Sequence, residues 1–424
     1  MSGKSWYQRQ HASVRRHDHK RLYLLSFLLL LALAACSGTT QQGSQATPQS
    51  TLATTLPTHT PTPSPSATSA GAIQHYEYVF PDGNIDVYDM DHGHALIQKV
   101  DIPTGAGVRG IAASPKTHML YVSYGSDSGA GGSLLKYDLV TRQVIWTKTY
   151  DHGIDSMAIT PDGKTIYMPD GELSGDGKWY IVDAETGNDT GVINAGTGPH
   201  NTLVSLNGKH VYMGGRFTHY LEVADTTTKQ IIRKIGPVRG NGVRPFTING
   251  QETLAYISTT SFLGFQVGDI TTGKILYTVP IRGFSWDGNG VTDPSHGISL
   301  SPDEKELYVL DWPNDKVHVF DVSHVPASAP RQVADISLTR SMQHNEQPCA
   351  YDCLADGWLQ HSRDGRFVYV GDAGVVIDTA TRKVIATLDT LYNSRKMLEI
   401  DWQNGVPIFT TTRQGMGYVS PAGV

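Results

Sequence analysis

The segment VIDTATRKVIATL, residues 376–388, decides how the rest of the chain is read. Apolar residues flank a polar turn opened by Asp378, the pattern of two β-strands joined by a tight connection. A short acidic side chain at the head of such a turn can accept hydrogen bonds from backbone N–H groups two and three residues ahead. Related segments recur as KYDLVTRQVIW from Lys136, IVDAETG from Ile181, VADTTTKQIIRKI from Val223, VGDITTGKIL from Val267, VFDV from Val319 and, most divergent, VYDMDHGHALI from Val87. The turn aspartates are Asp89, Asp138, Asp183, Asp225, Asp269, Asp321 and Asp378, spaced 42 to 57 residues apart.

A second marker gives an independent count. Short apolar strands lead into polar turns at Ser114 (SPKT), Thr160 (TPDG), Ser205 (SLNG), Asn249 (NGQE), Ser301 (SPDE) and Ser362 (SRDG), with DWQNG from Asp401 a degenerate seventh. The two markers alternate, so each unit holds four antiparallel strands, A to D from the ring axis outward. Units of this length arranged radially make a β-propeller. The expected fold is all-β with seven four-stranded antiparallel blades; an eight-bladed ring is the alternative. The repeats begin and end partway through a unit, so both ends of the chain are expected to share one composite closing blade. Residues 76–80 and 407–412 compete for its B strand.

The repeats SPDEKELYV and TPDGKTIYM, followed by VIDTATRKVIATL, resemble the YVTN-type β-propeller repeat family of bacterial extracytoplasmic and surface-layer proteins. That resemblance spans about 340 residues and implies a fold. It implies little about activity, because its members include binding proteins, lyases, lactonases and redox-enzyme subunits.

Ahead of the repeats, residues 1–35 read as a lipoprotein signal peptide. A basic stretch (Arg15, Arg16, Lys20, Arg21) precedes an apolar run, residues 22–33, and then LAAC ending at Cys36. The ending resembles the bacterial lipobox, which implies lipidation of Cys36 and an extracytoplasmic chain tethered to the cell membrane. The apolar run is too short to span roughly 30 Å of hydrocarbon. Residues 36–74 form a Ser/Thr/Pro-rich linker, too polar to fold alone. The propeller is expected over residues 75–424. The 424-residue chain has 44 glycines, 22 prolines, 17 % charged residues and a formal net charge of −6, which suits a turn-rich β protein and gives no reason to expect a nucleic-acid partner.

Aligning the units on their A–B turns brings Arg109, Asp155, His200, Arg244, His296, Gly357 and Lys396 into one register, each leading into an A strand at the channel mouth. Arginine clamps anionic groups and histidine exchanges protons near neutral pH. The expected ligand-binding set is therefore Arg109, Asp155, His200, Arg244, His296 and Lys396, for a small anionic molecule or an envelope-protein partner. The alternative is a lyase, lactonase or hydrolase using His200 or His296 with Asp155 or Glu399. A redox accessory subunit is a third reading. Residues in this register also bond to neighbouring loops, so a purely structural role stays open.

Glu399, on the face of Gln360, reads as an ion-pair partner of Arg395 or Lys396, and His361 as a packing residue. The two longest links between blades, residues 282–295 and 326–358, should stand beside His296 and Gly357. Within the second, Cys349 and Cys353 are expected to form a disulfide outside the cell, with free thiols or a metal site using His344 and His361 as alternatives. No cofactor is expected, a divalent metal being a lesser alternative, and the chain is expected to be a monomer. Nucleotide-binding glycine loops, HExxH, CxxCH and a nucleophile elbow are all absent.

Overall fold

The computed structural model describes residues 71–104, 107–289, 292–342, 357–392 and 394–411. Cys36, His344, Cys349 and Cys353, and with them the expected lipid anchor, disulfide and alternative metal site, lie outside the described residues. Among the described residues no helix is long and apolar enough to cross a membrane.

The described residues form seven antiparallel sheets arranged in a ring, six of four strands and one of five. The A strands of blades 2 to 7 are Val108–Ser114, Ala158–Ile159, Pro199–Val204, Val243–Ile248, Ile298–Leu300 and Leu359–His361, and those of successive blades approach one another. Blade 1 is composite. Its A strand, Met397–Gln403, pairs with Gln74–Val79, which pairs in turn with Asn84–Asp89 and Ala95–Asp101. The N-terminal segment is therefore the B strand. The competing segment, Val406–Thr410, is a fifth strand on the other edge of Met397–Gln403 and reaches the A strand of blade 2. Asn404 and Gly405, both at positive φ (52° and 77°), turn the chain back as a two-residue hairpin. DWQNG thus joins A to an inner fifth strand rather than A to B, with Asp401 inside the A strand.

Strands A to C are largely buried on both faces because blade packs on blade, whereas D strands such as Gln143–Thr149 are largely exposed. Each B strand of blades 2 to 7 buries a tyrosine at the equivalent position, Tyr121, Tyr167, Tyr212, Tyr256, Tyr308 and Tyr369, and that of blade 2 also buries Tyr124. Three of the hydroxyls reach the next blade. Tyr121 donates to the Ala184 carbonyl (2.8 Å), Tyr212 to Glu252 (2.8 Å), and Tyr369 meets His94 Nε2 (3.0 Å). A buried phenol needs such a partner, so each bond ties neighbouring blades together.

The turn aspartates act as expected. Asp138, Asp225 and Asp269 each accept from the N–H groups two and three residues ahead at 2.7–3.0 Å. Four residues past the aspartate the chain enters the left-handed region, at Arg142, Gly187, Lys229, Gly273 and Arg382. The link over residues 326–358 is not one long excursion, because Arg331–Ser337 is the D strand of blade 6. Its polar, half-exposed sequence hid it.

At Gly273 (φ 74°) an added Cβ would stand 2.5 Å from the Lys234 carbonyl oxygen. Gly273→Ala should therefore destabilise by about 1–3 kcal/mol. Lys229→Gly, at the equivalent turn position, should stay within about 1 kcal/mol of the parent. Urea unfolding of the two variants of the full chain measures the difference.

Candidate functional site

The register residues converge at the mouth, and most of them are buried. Loops that the register does not include hold them in place. The link between Thr165–Pro169 and Lys178–Asp183 of blade 3 carries Glu172, which accepts from Arg109 Nη1 (3.1 Å), Arg216 Nη1 (2.7 Å) and Arg244 Nη1 (3.5 Å). Arg109 also donates to Asp127 (2.6 Å), from the B–C link of blade 2, and Arg244 to Asp293 (2.7 Å), from the link that precedes His296. Gly171 (φ 104°) sets Glu172 in place, since a Cβ there would lie 1.9 Å from the Asp127 carbonyl oxygen. Burial alone would raise the Glu172 carboxyl, but His200 and the three arginines outweigh it and hold it well below the usual carboxylate range. Asp293, buried but beside Arg244 and His296, is pulled down to about 2.

The cations of the mouth stand among carboxylates. Arg109, Arg216 and Arg244 face the carboxylates of Asp127, Glu172 and Asp293, so each guanidinium is already paired, while Asp155 pairs with His200. The register could not reveal this because the carboxylates come mainly from other connections. Two long acidic B–C links, GSDSGAGG and DGELSGDG in adjacent blades, were the available signal.

Both histidines are held on one side and open on the other. His200 Nδ1–H donates to Asp155 Oδ2 (2.9 Å), whose Oδ1 accepts the Ser156 N–H (2.7 Å). His296 Nδ1–H donates to the Gly357 carbonyl (2.9 Å). Burial, with Arg244 and His200, keeps His296 neutral by lowering it well below its ordinary value. The imidazoles are 6.0 Å apart between ring centroids, and each packs on Trp358 (6.4 and 4.9 Å). His200 Nε2, His296 Nε2, the Trp358 indole nitrogen and both amide atoms of Asn201 are buried with no hydrogen-bond partner. Lys396 lies over the Trp358 ring (3.8 Å) and donates to Ser156 Oγ (3.1 Å). Burial, together with Arg395 and Arg109, lowers its ammonium to about 7.

Glu399 does not belong to this group. Its carboxylate accepts the Arg363 N–H (2.6 Å) and lies 3.7 Å from His75. It stands three residues along the strand from Lys396, about 10 Å at strand rise. The ion pair shown for Glu399 is with His75 rather than with Arg395 or Lys396, and of the candidate catalytic residues only Asp155, His200 and His296 share the mouth. His361 packs away from it, bonded to Ser299 Oγ (2.8 Å) and edge-on to Tyr308.

No family profile matches the chain, and no curated protein matches it. Among solved structures, hydrazine synthase from Kuenenia stuttgartiensis is similar, with a TM-score of 0.52 and 16 % identity, covering 75 % of this chain and 99 % of that one. At that identity the likeness concerns the fold.

Two outcomes follow for the mouth. Glu172→Gln leaves three guanidiniums undercompensated and should cost about 3–5 kcal/mol in urea unfolding. Lys396→Met should stabilise the chain by about 2–4 kcal/mol at pH 6, where the buried ammonium is charged at a cost. Between pH 7 and about 10 the unfolded lysine keeps its proton and the folded one loses it, so parent stability rises with pH and the advantage shrinks. Unfolding curves at pH 6 and pH 9 give the comparison.

Proposed function

We propose that this chain is a lipid-anchored, extracytoplasmic β-propeller of YVTN type whose mouth binds a small polar ligand. The lipobox-like LAAC at Cys36 and the polar linker support the location, and the repeat motifs support the family. One observation carries the binding function: His200 and His296 have their Nδ1 side fixed by a partner and their buried Nε2 unmet. Leaving such atoms without partners costs about 1–3 kcal/mol each, a cost that a ligand with matching groups recovers. Donors in the ligand would meet His296 Nε2 and the Asn201 carbonyl oxygen, and acceptors the Trp358 and Asn201 N–H groups. The balanced charges favour a neutral or zwitterionic molecule over a simple anion.

Hydrolytic or lyase chemistry is the second reading. It is favoured by the neutral His296, whose Nδ1–H is held by the Gly357 carbonyl and whose Nε2 lone pair is left to take a proton, as a general base would.

A thermal-shift and calorimetric screen of the full chain against amino acids, sugars, lactones and carboxylates tests both readings. Binding should weaken at least about tenfold in His296→Gln, the loss of one buried hydrogen bond. Turnover of a lactone that vanishes in the same variant would select the enzyme. Binding unchanged in both His200→Gln and His296→Gln would reject the site.

A further inference from the structure

The ring-closing pair of strands carries a second polar cluster, outside the mouth. His75 and Glu77 alternate onto one face of Gln74–Val79, and Glu399 and Asp401 onto one face of Met397–Gln403. The register sets His75 opposite Asp401 and Glu77 opposite Glu399. Three carboxylates and an imidazole thus share four adjoining positions of one sheet, although like charges directly opposite each other destabilise a sheet. Glu77, Glu399 and Asp401 are buried.

The carboxylates have an inner and an outer side. Asp401 Oδ2 accepts from Arg363 Nη1 (3.0 Å) and Glu399 Oε2 from the Arg363 backbone N–H (2.6 Å). Arg363 is itself held over the Phe409 ring (3.9 Å). The inner oxygens, Asp401 Oδ1 and Glu399 Oε1, lie 2.7 and 3.7 Å from His75 Nδ1. Glu77 Oε1 accepts a long bond from Gln360 (3.5 Å), and Glu77 Oε2 is buried with no partner. Ligand atoms of His75, Glu399 and Asp401 all lie within 4.8 Å of one another.

We propose that His75, Glu399 and Asp401, with Glu77 beside them, bind one divalent transition-metal ion, Mn²⁺ or Zn²⁺. Ligand atoms about 2.1 Å from an ion stand about 3.0–3.4 Å from each other, the range that the two inner contacts bracket. On binding, the Nδ1 proton of His75 leaves to solvent and the ion takes its place between imidazole and carboxylates. A single imidazole among carboxylates suits Mn²⁺ or Zn²⁺ better than a thiophilic ion. Arg363 supplies the outer hydrogen bonds that orient ligating carboxylates. His75, with 34 % of its side chain exposed, gives the ion access. Because the ligands come from both ends of the chain, the ion would clasp the closing blade.

Titration of the chelator-treated full chain with Mn²⁺, followed by electron paramagnetic resonance, and with Zn²⁺ by calorimetry, tests the site. One ion per chain is expected, with affinity reduced at least about tenfold in Glu399→Gln and Asp401→Asn. His75→Ala, at a partly exposed position, should lose the nitrogen coupling in the Mn²⁺ spectrum even if the carboxylate variants fold poorly. His200→Gln should bind the ion as the parent does, which separates this site from the Asp155, Glu172 and His200 group of the mouth. No saturable binding of either ion below 1 mM, a threshold of roughly −4 kcal/mol, would overturn the proposal. So would unchanged affinity in folded Glu399→Gln, Asp401→Asn and His75→Ala.

Discussion

The pairing of Gln74–Val79 with Met397–Gln403 is the constraint on which the rest of the ring depends. Six residues on each side are in register, and they lie more than 300 positions apart in the chain. Each blade alone would leave its apolar faces exposed, so burial on both faces of strands A to C requires the ring to close. The entropy of joining distant ends grows only slowly with separation, so a short ladder backed by blade packing suffices. Closure also completes the mouth, since Lys396, leading into the final A strand, reaches Ser156 of blade 3 and the Trp358 ring.

The mouth resolves an electrostatic conflict. Seven chain segments converge there, and their leading residues include two buried arginines and a buried lysine. Buried charges are tolerated only when paired and hydrogen-bonded. Glu172 provides that pairing for arginines of three blades at once, and Asp127 and Asp293 take the remaining guanidinium groups. What remains unsatisfied includes two imidazole nitrogens, an indole N–H and an amide. Those unmet groups are the basis of the binding role proposed for the mouth.

Blade number, composite closure and the strand order of the six whole blades were legible in the sequence because each blade repeats the same two turn chemistries. The repeat also put Arg109, Asp155, His200, Arg244, His296 and Lys396 in one register, because equivalent positions in a ring converge on its axis. Glu172 and Asp127 were hidden because they stand in links of irregular length, where no register applies. The fifth strand escaped because PIFTT reads equally well on either edge of its partner; only the pairing of Gln74–Val79 leaves it the inner edge. The His75, Glu77, Glu399 and Asp401 group could not be seen until the seam register placed HYE against EID.

The position of Gln74–Val79 within its sheet also has a mechanical meaning. Any pull that reaches the propeller from the preceding residues arrives at this strand, which is bonded to Met397–Gln403 on one side and Asn84–Asp89 on the other. Extracting it requires two ladders to fail together, whereas an outermost strand could peel away one bond at a time. The seam that closes the ring is thus also the point best suited to bear a load.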